Sequence, residues 1–158
     1  MHSYNCTILP LFCTLVPMKG NVLYRQYEVE WKVLERFNKP VKRNNFFELI
    51  YILDGAGTQM VNKNHFNYRK GNLFLLTPQD VYTFNIGAPT SFFFIRFNKL
   101  FVKDKINKDN DAITQVEYIL QNASHRPGCI LKNKTDKPLI ESLVNSILNE
   151  QINQQLYF

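Results

Sequence analysis

Very little in this chain of 158 residues suits covalent or metal chemistry. It holds three cysteines, Cys6, Cys13 and Cys129. An odd number without metal-type spacing gives neither a disulfide framework nor a zinc pattern. Reduced thiols in a cytoplasmic protein are the expectation. The three histidines, His2, His65 and His125, share no ligand-like spacing. No Gly-x-Ser-x-Gly or phosphate-loop motif occurs, and no cysteine has an evident histidine partner. No catalytic residue, metal ligand or cofactor is therefore assigned. Long apolar runs are also missing. The stretch from Cys6 to Val16 is interrupted by Pro10, has no Lys or Arg before it and no small-residue cleavage site after it. That argues against a secretion signal. It falls well short of the ~20 apolar residues of a membrane span, so no membrane partner is expected.

What the chain has is apolar and aromatic bulk: 45% hydrophobic residues and 14% aromatics. This is ample for a folded core and argues against a disordered chain. The length favours one domain. Nineteen Lys and Arg against thirteen Asp and Glu give a formal charge of +6. That permits work near a polyanion, but the basic residues are scattered and read mainly as solvated surface.

The first two thirds alternate like strands. From Val22 to Val33, the residues Leu23, Tyr27, Val29, Trp31 and Val33 share one parity, while Gln26, Glu28, Glu30 and Lys32 take the other. This reads as a half-buried strand. Phe46–Leu53 reads as a buried strand ending in the turn Asp54-Gly55-Ala56-Gly57. Thr58–Asn62 and Phe66–Tyr68 form a hairpin around Asn62-Lys63-Asn64, where Asn tolerates positive φ. Leu73–Leu76, Val81–Ile86 and Ser91–Asn98 follow, the last two separated by Gly87-Ala88-Pro89. Short strands at such intervals predict an all-β barrel or sandwich.

After about Lys108 the period changes. Ile113, Val116, Leu120 and Ala123 recur at helical steps behind the cap candidates Asp109–Asp111, and Pro127-Gly128 ends that helix. A second begins near Asp136, with Pro138 and Glu141 in its first turn. Leu139, Ile140, Leu143, Val144, Ile147, Leu148 and Ile152 make its apolar stripe broad. The expected organisation is an arm over 1–21, a β-barrel over 22–107 and two helices over 108–158.

Phe47-Glu48-Leu49-Ile50-Tyr51-Ile52-Leu53-Asp54-Gly55-Ala56-Gly57, then Lys70-Gly71-Asn72-Leu73-Phe74-Leu75-Leu76-Thr77-Pro78, then Asp80-Val81-Tyr82-Thr83-Phe84 resemble the N-terminal cupin of AraC-type transcription regulators. Glu48 and Gly55 have the spacing that closes the first cupin motif. Gly71 and Pro78 match the second with one extra residue. The resemblance covers most of residues 20–156. It implies a mainly β, cupin-like double-stranded barrel (jelly roll) followed by helices that pair subunits, and ligand sensing without catalysis. Its expected partners are a small sugar or organic acid, a second copy of the chain, and DNA through a helix-turn-helix domain that this chain does not carry. Two departures stand out. The chain stops at Phe158, and the histidines of metal-binding cupins are missing. Lys42, Arg43 and Asn44 stand near the first motif's pair, and Tyr82 and Thr83 near the second motif's histidine. A metal-dependent cupin isomerase or dioxygenase, or a stand-alone carbohydrate-binding β-domain, are the alternatives.

The ligand-binding candidates are Trp31, Glu48, Tyr82, Phe84, Phe94 and Arg96. Aromatic rings can stack on a sugar face, and the tyrosine adds a hydroxyl. Glu48 either meets a ligand hydroxyl or is a buried carboxylate satisfied by backbone or by an arginine. Arg96 shares the parity of Phe92 and Phe94. If that face is inside, its guanidinium must meet Glu48, carbonyls or an anionic ligand; if outside, it is solvated. For dimerisation the candidates are Ile140, Leu143, Val144, Ile147 and Leu148, since their stripe is wider than a barrel rich in its own hydrophobes requires.

Overall fold

In the computed structural model, residues 22–38, 44–106, 110–125 and 128–156 are described. The expected arm over 1–21 lies outside them. Five antiparallel strands come first: β1 (Tyr27–Leu34), β2 (Phe47–Val61), β3 (Asn64–Arg69), β4 (Leu73–Leu76) and β5 (Tyr82–Phe97). Three α-helices follow: α1 (Lys99–Ile106), α2 (Asn110–Asn122) and α3 (Asp136–Leu156). The fold is mainly β, followed by helices, but with three helices rather than two. The added one is α1. It begins behind Asn98, whose Oδ1 accepts from the Phe101 N–H at 2.9 Å as an N-cap does, and its last turn carries Lys103 and Lys105.

Two strands are longer than their punctuation suggests. The turns expected at Asp54–Gly57 and Gly87–Pro89 are bends inside β2 and β5, which stay paired from Phe47↔Phe97 to Val61↔Tyr82. The ladder slips at Ile52, Asp54, Ala56 and Gly57, as bulged strands do where a sheet curls. Gly55 sits at this bend with φ of 100°, and a Cβ there would lie 2.5 Å from Thr90 Oγ1. By contrast, the hairpin at Asn62 and Lys63 forms as expected, with φ of 47° and 74°.

The sheet order is β1-β5-β2-β3, with β4 against the first half of β2. It is not closed among the described residues, but it folds over on itself. Tyr82 and Arg96 are fourteen residues apart on β5, roughly 46 Å if extended. Yet the Tyr82 hydroxyl donates to Glu48, the residue paired with Arg96.

Folding over gives the sheet a concave and a convex face. Ile50, Ile52, Phe74, Leu76, Tyr82, Phe84, Phe92 and Phe94 fill the concave side. On the convex side, Phe47, Leu75 and Phe97 pack with Leu120 of α2, and Phe101 and Val102 of α1 join them. Further along, Tyr51, Leu73 and Phe93 pack with Val144 of α3, backed by Ile140, Ile147 and Leu148. The stripe on α3 therefore spends Val144, Ile140, Ile147 and Leu148 on its own sheet. Of the five residues expected to pair subunits, only Leu143 is as much as half exposed, at 51%, alongside Leu139 and Ile152. No helix is long and apolar enough to cross a membrane among the described residues.

Candidate functional site

β1 reverses the expected assignment of inside and outside. Its apolar parity points to the convex side, where Trp31 pairs with Phe93 and remains 54% exposed. The indole Nε1 donates to Ser91 Oγ at 2.7 Å. Its polar parity lies over the concave face, where Glu28 pairs with Arg96, Glu30 with Phe94 and Lys32 with Phe92. The apolar side of a strand normally seeks the core. Here the convex side near β1 is only partly covered by helix, and the concave side holds a cation that needs acids.

That cation is Arg96. β5 places it on the inner face, which resolves the two readings of its parity. Its Nε donates to Glu48 Oε1 at 3.1 Å. Nη1 donates to Glu28 Oε1 at 2.9 Å and meets Glu30 Oε2 at 2.8 Å. Lys32 Nζ donates to the other oxygen of Glu30 at 3.1 Å. The guanidinium also lies over the Phe94 ring, 4.9 Å from its centroid, with Lys32 Nζ at 5.2 Å. Glu48 itself is 2% exposed, and its second oxygen accepts from Tyr82 at 2.6 Å. Between the two readings of Glu48 given above, the structure shows a buried carboxylate satisfied by an arginine and a tyrosine.

The charges tune one another. Burial pushes the Glu48 carboxyl above its usual range, and Arg96 and Tyr82 offset only part of this. Burial also works to raise Glu30, but the hydrogen bonds from Arg96 and Lys32 outweigh it and hold that carboxyl below its usual value. Burial opposes the charge on Arg96, yet Glu48 and Glu30 hold it more firmly protonated than a free arginine. Tyr82 is pushed upward by burial and by the neighbouring Glu48, so its hydroxyl stays a donor.

These residues line a cavity of about 480 Å³, together with Leu34, Phe37 and Phe46. That is a size suited to a small organic molecule. The structure thus brings together four of the six ligand-binding candidates: Glu48, Tyr82, Phe94 and Arg96. Phe84 lies behind them in the aromatic core, buried and touching Tyr82 and Phe92. Trp31 is on the opposite face of the sheet. Sequence reasoning missed Glu28, Glu30, Lys32 and Phe37. The signal for the first three was present: they share a parity, and a strand with acids on one side suits a neighbour carrying a buried arginine. His65 is an exposed residue of β3.

Residues 34–104 match the family described as the AraC-like ligand binding domain. The matched segment carries β2 to β5, with Glu48, Tyr82, Phe94 and Arg96 of the cavity wall. Among solved structures, the chain is similar to a cupin protein from Bacteroides fragilis at 16% identity, covering 48% of this chain and 68% of that one, with a TM-score of 0.44. It is similar to a Cupin 2 conserved barrel domain protein from Salinispora arenicola at 11% identity, covering 60% and 81%, with a TM-score of 0.43. It is also similar to ectoine synthase from P. lautus at 12% identity, covering 51% and 62%, with a TM-score of 0.42. No curated protein matches the chain.

Proposed function

We propose that this chain is the ligand-sensing and dimerising part of a cytoplasmic AraC-type transcription regulator, and that it binds its effector without chemical change. The observation that carries this reading is the cavity walled by Arg96, Glu48 and Tyr82 inside the segment that matches the AraC-like ligand binding domain. Glu48 and Tyr82 are held by each other and by Arg96 rather than poised for proton transfer. Such a wall favours recognition over catalysis.

Of the two effector classes, the electrostatics favour the sugar over the organic acid. The cavity wall sets Lys32, Arg36 and Arg96 against Glu28, Glu30 and Glu48, and Arg96 is already met by all three carboxylates, so an added acid would have to displace one of them. Hydroxyls can donate to Glu28 and Glu30 and accept from Lys32 with no such penalty. The Phe94 ring supplies an apolar face. Dimerisation falls to the exposed apolar residues of α3, Leu139, Leu143 and Ile152, and DNA contact to a helix-turn-helix domain elsewhere in the full regulator.

Two measurements test this. A thermal-shift screen should show monosaccharides raising the melting temperature and small carboxylic acids leaving it unchanged. The response to the sugar should fall at least tenfold in apparent affinity in Arg96→Ala. Leu143→Asp should turn a dimer into a folded monomer in sedimentation. Acids that bind better than sugars, or a monomeric parent, would count against the corresponding half of the reading.

A further inference from the structure

One buried polar group takes no part in the cluster around Arg96. Gln59 of β2 has a relative exposure of 0%, and neither its Nε2 nor its Oε1 has a hydrogen-bond partner among the described residues. An amide buried this way costs free energy that leucine at the same place would not, so an unsatisfied one calls for an explanation. Its place in the sheet supplies one. Gln59 pairs with Phe84 on one side and Phe66 on the other. Phe84 belongs to the inner aromatic cluster, with Tyr68 at 5.4 Å and Phe92 at 4.9 Å between ring centroids.

Phe37 touches both this inner cluster and the open cavity. It lines the cavity beside Glu48 and Tyr82. Its ring also packs on Phe84 at 5.3 Å, Tyr82 at 6.0 Å and Phe92 at 6.4 Å. Unlike those rings it is not on a strand. It follows the end of β1 on an irregular stretch, so it can be displaced without breaking a ladder.

We propose that the ligand site continues inward past Phe37 to a neutral subsite at Gln59. That subsite takes a ring whose edge offers one hydrogen-bond donor and one acceptor side by side, as a carboxamide or two adjacent sugar hydroxyls do. The amide of Gln59 matches such an edge with two parallel bonds, its Oε1 accepting and its Nε2 donating. The ligand's ring then takes the place of the Phe37 ring against Phe84 and Phe92. The inference rests on the reading of the barrel interior as a ligand site, and it adds what the deep end of that site recognises.

Benzamide is a suitable probe, because it carries both the ring and the paired edge, with toluene and benzoate as controls. Removing the Phe37 ring opens the space, so millimolar benzamide should raise the melting temperature of Phe37→Ala by several degrees. Toluene should raise it less and benzoate not at all. Adding Gln59→Leu should weaken benzamide at least tenfold and reverse its advantage over toluene, while leaving the fold intact or more stable. If Phe37→Ala does not fold, Phe37→Leu carries the same comparison. The proposal is overturned if toluene rescues as well as benzamide, if no compound acts, or if the benzamide preference survives Gln59→Leu. A missing benzamide response beside intact sugar binding would overturn the inner subsite alone. Failure of the sensor reading would leave the benzamide response in place.

Discussion

The two faces of the sheet are buried by different means. On the convex side, Tyr51, Leu73 and Phe93 meet Val144 and its neighbours on α3, apolar against apolar. On the concave side near β1, a guanidinium meets three carboxylates, and one of these lies almost wholly out of water. Packing of the first kind contributes stability in proportion to the area covered. An ion cluster of the second kind roughly breaks even against hydrophobic residues of the same volume. A fold that needed only stability would be served as well by leucines at 48 and 96. The contrast separates a face that holds the protein together from a face shaped for something to bind.

Each prediction below presses on that contrast. Phe93→Ala, on the convex side, should destabilise by about 3–5 kcal/mol through the cavity it leaves, equally at pH 5 and pH 7 in urea titrations. Arg96→Met, on the concave side, should cost about 3 kcal/mol at pH 7, because Glu48 is left buried without its cation. This loss should depend on pH. The Glu48 carboxyl is raised above its ordinary value of 4.5 already, and more so without Arg96. A group raised on folding contributes stability in full below its unfolded value and loses it as pH rises through the folded one. The deficit should therefore narrow toward pH 4.5 and be complete at neutral pH. A deficit constant from pH 4.5 to 7 would show that the two faces do not differ as described.

Smaller effects sharpen the division. Trp31→Ala removes a half-exposed indole and its bond to Ser91, so about 1 kcal/mol should be lost. Sugar binding measured by calorimetry should not change, since Trp31 faces away from the cavity. The smallest effect should come from Glu28→Gln. Its pair with Arg96 is partly exposed, and such pairs contribute about 0.2–1 kcal/mol. Yet its position on the cavity wall should make it weaken sugar binding more than Trp31→Ala does.

Much of this architecture was legible beforehand. Strand periodicity, the Asn62-Lys63 hairpin and the apolar stripe of α3 depend on local spacing, and the sequence carries that directly. The bends in β2 and β5 were read as chain reversals because Gly55 and Gly87 serve either purpose. Which one applies depends on whether the flanking halves keep the same partner strand, a long-range fact. The site was half legible for a related reason. Arg96, Glu48, Tyr82 and Phe94 stood out by residue type, and four strand positions sufficed to name them. β1 misled because its apolar residues were assumed to face the core. The deciding quantity was the charge on the neighbouring strand, and strand order is not written in β1 itself.

Alternation along β5 has one more consequence. Phe94 and Arg96 touch the cavity, while Phe93 and Ile95, the residues beside them, lie under α3. The partition between the chamber and the helix is thus a single layer of sheet, like the skin of a drum. A side chain relaying motion through a deep core can absorb it in a change of rotamer. A skin has no such depth, since its two surfaces are the same row of peptide planes. A displacement of β5 from within meets the underside of α3 through Phe93 and Ile95, which share a cavity of about 160 Å³ with Ile140, Leu143 and Val144.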